Sequence, residues 1–342
     1  MKNENRYSTR LKELQEAGNY RSFPINDGDL IELSSNDYLG LNKDYALYAG
    51  FVQEFNAKRY KLSACSSRLL SGNSPEYTQL EKLISAAYQT EDCLLYNSGY
   101  HANVGILSAL AGKKDLIIAD KLVHASLIDG IQLSDATFMR YKHLDYKHLE
   151  SLLEKHRNEF EEVFIVSESI FSMDGDIANL QKLVELKQKY KALLYIDEAH
   201  ALGVCGKNGL GCVEEDDVIQ QVDFIVGTFG KALASVGAFV ACSQLFKEYL
   251  VNHSRTLIFT TALPPINLAW TAYLFERLPD FNDRRIHLTE LSQAFAKQLE
   301  VKAESHIVPY IIGSNNEAIA ASQLLRENGF NVLPIRYPTV PQ

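Results

Sequence analysis

Five short apolar runs recur along the chain with helical patterns between them: Cys93-Leu94-Leu95-Tyr96, Leu116-Ile117-Ile118-Ala119, Val163-Phe164-Ile165-Val166, residues 192–196 and Phe224-Ile225-Val226. Runs of this length without polar alternation suit strands buried on both faces. Their alternation with helices predicts an α/β fold, a mostly parallel sheet with helices on both faces. The segment 236–241 follows the last run too closely for a helical crossover, so it should pair antiparallel with a neighbour. Before residue 45 lies an amphipathic helix carrying Leu11 and Leu14, then the turn-rich Ser34-Ser35-Asn36-Asp37-Tyr38-Leu39-Gly40. After residue 280 the pattern reads as a helix over 288–299, a strand over 308–312 and a helix over 317–328. The expected organisation is an N-terminal segment over 1–45, a large domain over 46–280 and a smaller α+β domain over 281–342.

Two of the apolar runs end in reactive side chains. Residues 192–196 lead into Asp197-Glu198-Ala199-His200, and Phe224-Ile225-Val226 leads into Gly227-Thr228-Phe229-Gly230-Lys231. Neighbouring parallel strands would deliver Asp197 and Lys231 to one crevice at their carboxyl ends, where open α/β sheets bind ligands. A glycine-flanked lysine beside a carboxylate fits pyridoxal 5'-phosphate: the lysine holds the aldehyde as a Schiff base, and the carboxylate keeps the ring nitrogen protonated.

Other segments fall where they could surround such a cofactor. Asn97-Ser98-Gly99-Tyr100-His101-Ala102-Asn103 follows a strand and opens a helix, offering small residues and backbone N–H groups to a phosphate. His124 lies just past another strand, where its ring could stack on a pyridine; a capping or core histidine is the plainer alternative. Glu168-Ser169-Ile170-Phe171-Ser172-Met173-Asp174-Gly175-Asp176 reads as a polar turn at a strand end, and Thr260-Thr261-Ala262-Leu263-Pro264-Pro265 as a loop with two hydroxyls. His200 could reach the cofactor's ring hydroxyl if the chain turns sharply after Asp197.

Several function classes fit poorly. The 342 residues carry a formal net charge of −9, which disfavours a nucleic-acid surface. No apolar stretch approaches the roughly 18 to 20 residues of a membrane span, and the N-terminus lacks a signal-peptide core, so a cytoplasmic location is expected. The five cysteines form no C-x-x-C pair and the nine histidines no zinc-like cluster, so no metal site is expected. Asp197-Glu198-Ala199-His200 spells a helicase box, but no phosphate-cradling G-x-x-x-x-G-K-[ST] accompanies it. Gly206, Gly209 and Gly211 reverse the spacing of a dinucleotide fingerprint and read better as a flexible loop beside the site.

Taken in order, Ser34 to Gly40, Ser67-Arg68-Leu69-Leu70-Ser71-Gly72, His124-Ala125-Ser126, Phe171 to Asp176, Asp197 to His200, Thr228 to Lys231, Thr260 to Pro265 and Arg336-Tyr337-Pro338-Thr339-Val340-Pro341 resemble the α-oxoamine synthases, a family of fold-type I pyridoxal phosphate enzymes. The resemblance runs over nearly the whole chain. It implies that Lys231 anchors the cofactor and serves as base, Asp197 pairs with the ring nitrogen, His124 stacks on the ring, and His200 and Ser172 meet its phenolic oxygen or nearby atoms. Ser98, Gly99, Tyr100 and Thr228 would hold the phosphate. Thr260 and Thr261 would reach the phosphate of a homodimer partner, and Arg21 and Asn36 would line the substrate cleft. The implied reaction is decarboxylative condensation of L-alanine with pimeloyl-CoA or a pimeloyl-carrier protein. Other members, of the glycine C-acetyltransferase or serine palmitoyltransferase type, are the alternatives.

The sequence departs from the family pattern in two places. Tyr77 stands where many members have histidine. The family continues past the position of Gln342 with a Gly-Thr-x-Arg-Leu-Arg strand, whose arginine is expected to bind the amino-acid carboxylate. On that expectation the C-terminal domain is incomplete, and a chain that binds the cofactor without turning over is a further alternative.

Overall fold

The computed structural model of the chain describes residues 2–23, 30–58, 60–336 and 340. Tyr337, Pro338, Thr339 and Pro341 of the last family-like motif lie outside the described residues. The chain forms two compact units, one from residues 37–308 and one from residues 1–36 with 309–342, so the expected cuts near 45 and 280 both fall within the larger unit.

The larger unit is built on a seven-stranded sheet: β1 (Asp92–Tyr96), β2 (Leu116–Asp120), β3 (Thr137–Tyr141), β4 (Val163–Glu168), β5 (Leu193–Asp197), β6 (Phe224–Thr228) and β7 (Ala238–Cys242). Their spatial order is β1-β7-β6-β5-β4-β2-β3. Only β7 runs against its neighbours, pairing antiparallel with both β1 and β6, as its short connection requires. Strands β2, β4 and β7 are buried along their whole length, and β1, β5 and β6 nearly so. That continuous burial explains why they read as unbroken apolar runs.

β3 is the exception. It is an edge strand exposing Thr137 and Arg140, so it carries no apolar run and no sequence signal for it was found. The expected strand over 308–312 is absent. Those residues form no strand, and Tyr310 and Ile311 are exposed, because a β-prone run without a partner edge has nothing to complete its hydrogen bonds.

Two helices place the site's inner wall, α1 (Gly99–Leu110) and α2 (Ala125–Leu133). They touch at Gly130, where an added Cβ would lie 2.6 Å from the Asn103 carbonyl oxygen and 3.0 Å from the Val104 Cα. Both obstacles are backbone, so neither can rotate aside. Gly130→Ala is therefore expected to cost about 1–3 kcal/mol through overpacking, read as a fall of several degrees in Tm; an unchanged Tm would mean the helices can separate freely.

The smaller unit holds helices Lys2–Glu16 and Asn315–Glu327 and a two-residue parallel pairing of Ile31–Glu32 with Phe330–Asn331. Arg336 donates to the Gly18 and Tyr20 carbonyls, tying its two chain ends together.

Candidate active site

The register of β4, β5 and β6 aligns Glu168 with Asp197 and Asp197 with Val226, so the carboxyl ends of three adjacent strands open onto one place. Asp197 is buried there. One of its oxygens accepts from Asn103 Nδ2 at 2.7 Å and the other from the Ala199 backbone N–H at 2.8 Å. Asn103 is fixed in turn, since Tyr195 donates to its Oδ1 at 2.6 Å and its amide also donates to Ser126 Oγ at 2.9 Å. Every polar atom of the Asn103 amide is thus committed, and Asp197 is held from behind by a rigid donor.

Ser126 carries the network to His124. The Ser126 backbone N–H donates to His124 Nδ1 at 3.2 Å and its hydroxyl lies 2.8 Å from the same nitrogen. Nδ1 therefore accepts, and the neutral ring keeps its proton on Nε2. Burial holds the His124 pKa below the usual histidine value, against the pull of the Asp197 charge. His124 caps α2, as the plainer alternative proposed, and is also joined through Ser126 and Asn103 to Asp197.

Lys231 stands just beyond β6 in a tight turn. Ala234 N–H donates to the Lys231 carbonyl, and Ala234 itself sits at φ 44°, a left-handed conformation strained for any residue with a Cβ. Trp270 Nε1 donates to the Ala234 carbonyl and helps hold the turn. The Lys231 amine lies 2.6 Å from His200 Nε2, and no carboxylate among the described residues is within ion-pair distance of it. Burial lowers its pKa, partly opposed by the charges of Asp197 and Glu168. Burial and the neighbouring Lys231 push His200 down to about 2, so that imidazole is neutral.

At the other end of the crevice, Ser98 caps α1, accepting from the His101 backbone N–H. Gly99 and Tyr100 follow as the first residues of the helix, where N–H groups have no intrahelical partner. Gly99 faces Thr228: a Cβ there would sit 3.5 Å from the Thr228 Cβ. Asn97 Nδ2 donates to Thr260 Oγ1 at 3.2 Å and to the Thr261 carbonyl at 2.7 Å, so these threonines lie beside the same strand-to-helix turn. Ser172 is half-buried in the turn closed by the Gly175-to-Phe171 and Phe171-to-Asp176 backbone bonds. Arg21 and Asn36 belong to the smaller unit.

Sequence reading places Asn103, Ser126, Glu168 and Tyr38 within its candidate segments but gives none of them an individual role. Asn103 had a signal in retrospect, as a polar residue one turn into an apolar helix. Glu198, next to Asp197, turns out to serve the loop after it. It is buried and accepts from Ser169 Oγ and from the Cys212 and Val213 backbone N–H groups. With Glu214 accepting from the Asn208 and Leu210 N–H groups, it ties down the glycine-rich segment that was expected to be a flexible loop.

Burial raises the Glu198 pKa from 4.5 to about 7. A carboxyl that binds its proton more tightly in the folded state stabilises below its unfolded pKa, and that contribution is lost as pH rises through the folded value. Glu198 should therefore subtract up to about 3 kcal/mol between pH ~4.5 and ~7. In Glu198→Gln this component of the stability–pH curve is expected to vanish, measured by urea unfolding at several pH values; an unchanged slope would show that Glu198 stays ionised.

The profile of the family described as "Aminotransferase class I and II" matches residues 28–342. The chain belongs to that family, and within it to the pyridoxal-phosphate-dependent, α-oxoamine synthase-like enzymes. It is 51% identical to a "Putative 8-amino-7-oxononanoate synthase" of Glaesserella parasuis, over 99% of this chain and 93% of that one. It is 50% identical to a protein of the same name from Neisseria meningitidis serogroup C, with the same coverage. Among solved structures, serine palmitoyltransferase from S. paucimobilis with a bound PLP–myriocin aldimine superposes with a TM-score of 0.87 at 27% identity, covering 98% of this chain and 89% of that one. The 8-amino-7-oxononanoate synthase of Francisella tularensis gives 0.76 at 31% identity, covering 92% and 90%.

Proposed function

We propose that this protein condenses L-alanine with a pimeloyl thioester, on coenzyme A or a carrier protein, releasing carbon dioxide and free thiol to give 8-amino-7-oxononanoate for biotin biosynthesis. The observation that carries the reading is the Lys231 amine, half-buried at the strand ends against a neutral imidazole with no ion pair among the described residues, in a chain half identical to relatives of that name. A half-buried ammonium so placed is disfavoured. Condensation with an aldehyde would replace the amine by a less basic imine, so the residues fit pyridoxal phosphate. Lys231 would hold it covalently, Asp197 would meet its ring nitrogen and His124 its ring face. His200 and Ser172 would meet its phenolic side, and Ser98, Gly99, Tyr100 and Thr228 its phosphate.

When bound, the cofactor supplies a cationic ring that can accept the electron pair left when the amino acid's α-proton departs. The chain's residues do the rest. Lys231, neutral once displaced, takes the α-proton and later returns one to the same carbon after carboxylate has left as carbon dioxide. Asp197, held by Asn103 and Ala199, keeps a negative charge fixed at the inner wall. His200 orients the Lys231 amine. Arg21 and Asn36 would bind substrate.

A homodimer completes the proposal, with Thr260 and Thr261 reaching the partner's phosphate. The Ser67–Thr261 bridge places these threonines beside the exposed Leu69 and Leu70, and Phe259 is exposed next to them in the chain. Such an apolar cluster suits a subunit contact.

The test measures thiol release by the purified, cofactor-loaded protein with alanine and pimeloyl-CoA, with serine and palmitoyl-CoA, and with glycine and acetyl-CoA. Alanine with the pimeloyl donor should be preferred at least about tenfold in kcat/KM. The similarity to serine palmitoyltransferase favours the serine pair as the second reading. Cofactor binding with no release from any pair would identify a chain that does not turn over.

A further inference from the structure

Beside the Lys231 cluster lies a histidine that the reading above leaves unused. His306 Nε2 is buried and has no hydrogen-bond partner. Its ring meets Tyr38 edge-on, with centroids 4.2 Å apart and planes at 70°. The Tyr38 hydroxyl is 2.7 Å from His200 Nδ1, and His200 Nε2 is 2.6 Å from the Lys231 amine. Three rings and an amine therefore form one unbroken line.

The segment bearing His306 is not free to drift. Ile307 N–H donates to Ser305 Oγ. An added Cβ at Gly175 would come within 2.5 Å of the Ile307 carbonyl oxygen and 3.0 Å of Ser305 Oγ. Gly175 also sits at φ 71°, so a glycine is needed twice over for this segment to seat on the turn after β4.

The line can carry protons in two arrangements. In one, the Tyr38 hydroxyl donates to His200 Nδ1, the His200 proton sits on Nε2, and it donates to a neutral Lys231 amine. In the other, a Lys231 ammonium donates to Nε2, the ring proton sits on Nδ1, and it donates to the Tyr38 oxygen. The direction in which the Tyr38–His200 hydrogen bond is held decides between them.

We propose that His306 is a positioning residue: packed edge-on against Tyr38, it holds the phenol on His200 Nδ1 and so fixes the His200 tautomer that faces the Lys231 amine. Its Nε2 is shut away without a partner, so the ring contributes shape and an aromatic edge, not a proton. Burial and the nearby Lys231 hold the His306 pKa at about 4, so it adds no positive charge to the cluster. Among the described residues, the other charged or titratable groups that act on His200 and Lys231 are His124 at His200, and Asp197 and Glu168 at Lys231. The proposal deepens the assignment of Lys231 as proton acceptor and rests on it only for the catalytic consequence, because the tautomer is a property of the cofactor-free chain.

The test is nitrogen-15 NMR of the full-length, cofactor-free protein labelled at histidine, with the His200 signals identified by their loss in His200→Gln. In the parent protein His200 should show one tautomer. In His306→Ala its two nitrogen shifts should move toward each other, and His306→Phe, which restores an aromatic edge, should return them. In the loaded enzyme His306→Ala should lower kcat about tenfold or more with KM little changed, and His306→Phe should recover it. Should the alanine variant fail to fold, His306→Leu keeps the bulk without the edge and should behave as alanine does; parent-like shifts in His306→Leu would overturn the proposal. So would a folded His306→Ala with unchanged His200 shifts. Tautomer changes in a protein inactive toward every thioester would leave this inference standing and remove the proposed reaction.

Discussion

Replacing Lys231 with alanine is expected to lower turnover by about ten-thousandfold or more while leaving the fold intact, because in the proposed reaction one side chain would serve as both cofactor anchor and base. The structural part of the prediction follows from burial. Lys231 brings a potential positive charge into a site with a neutral imidazole and no ion pair among the described residues. Its removal deletes a group that the folded state holds at some cost, offset by the lost packing of its stem. Tm should change by no more than a few degrees, and the visible absorption of lysine-bound cofactor should be absent. A small primary amine added to the variant should restore part of the activity by supplying the missing base. A variant that kept a tenth of parental turnover would remove Lys231 from the chemistry, whatever its position in the fold.

The depressed pKa of Lys231 gives that result a pH dependence. A lysine amine whose ammonium form is penalised by burial sheds its proton at lower pH than a free lysine, so cofactor capture should extend further toward neutral pH than for an exposed lysine. Asp197 and Glu168 act in the opposite direction. The neutral form of Lys231 is thus set by a balance that later substitutions can tip.

What could be read in the sequence was whatever the chain writes locally. Strands β1, β2, β4, β5 and β6 announce themselves because burial on both faces demands unbroken apolar residues. Asp197 and Lys231 are legible because each sits at the end of such a run. The edge strand β3 is not, since one exposed face admits Thr137 and Arg140. The strand expected over 308–312 fails for the converse reason: Ile311 and Ile312 have β propensity, but pairing requires an edge that local composition cannot supply. The supporting residues of the site are the hardest to read. Asn103 acts on Asp197 across 94 residues and Tyr38 on His200 across 162, and no periodicity or turn signal encodes a partner at that distance.

Asp197→Asn is expected to reduce kcat by about a hundredfold to a thousandfold with the cofactor still bound through Lys231. If Asp197 meets the ring nitrogen as proposed, a unit charge at about 4 Å would stabilise a cationic ring by roughly 4 kcal/mol at an effective dielectric of 20, an upper figure worth about three powers of ten. The amide keeps the volume and removes the charge. It also has one acceptor oxygen where the carboxylate has two, yet Asn103 Nδ2 and the Ala199 N–H approach different oxygens. One donor is then left facing an NH2 group, at a cost of about 1–3 kcal/mol in stability. Asp197→Glu separates the two effects, because it retains the charge while displacing the carboxylate from Asn103. If charge dominates, the glutamate variant should keep more activity than the asparagine variant; if the hydrogen-bonded geometry dominates, the order reverses. A third reading comes from the cofactor-free protein. The Asp197 charge supports the protonated form of Lys231, so Asp197→Asn should move the Lys231 titration to lower pH, and a shift to higher pH would show that the two side chains do not share one electrostatic environment.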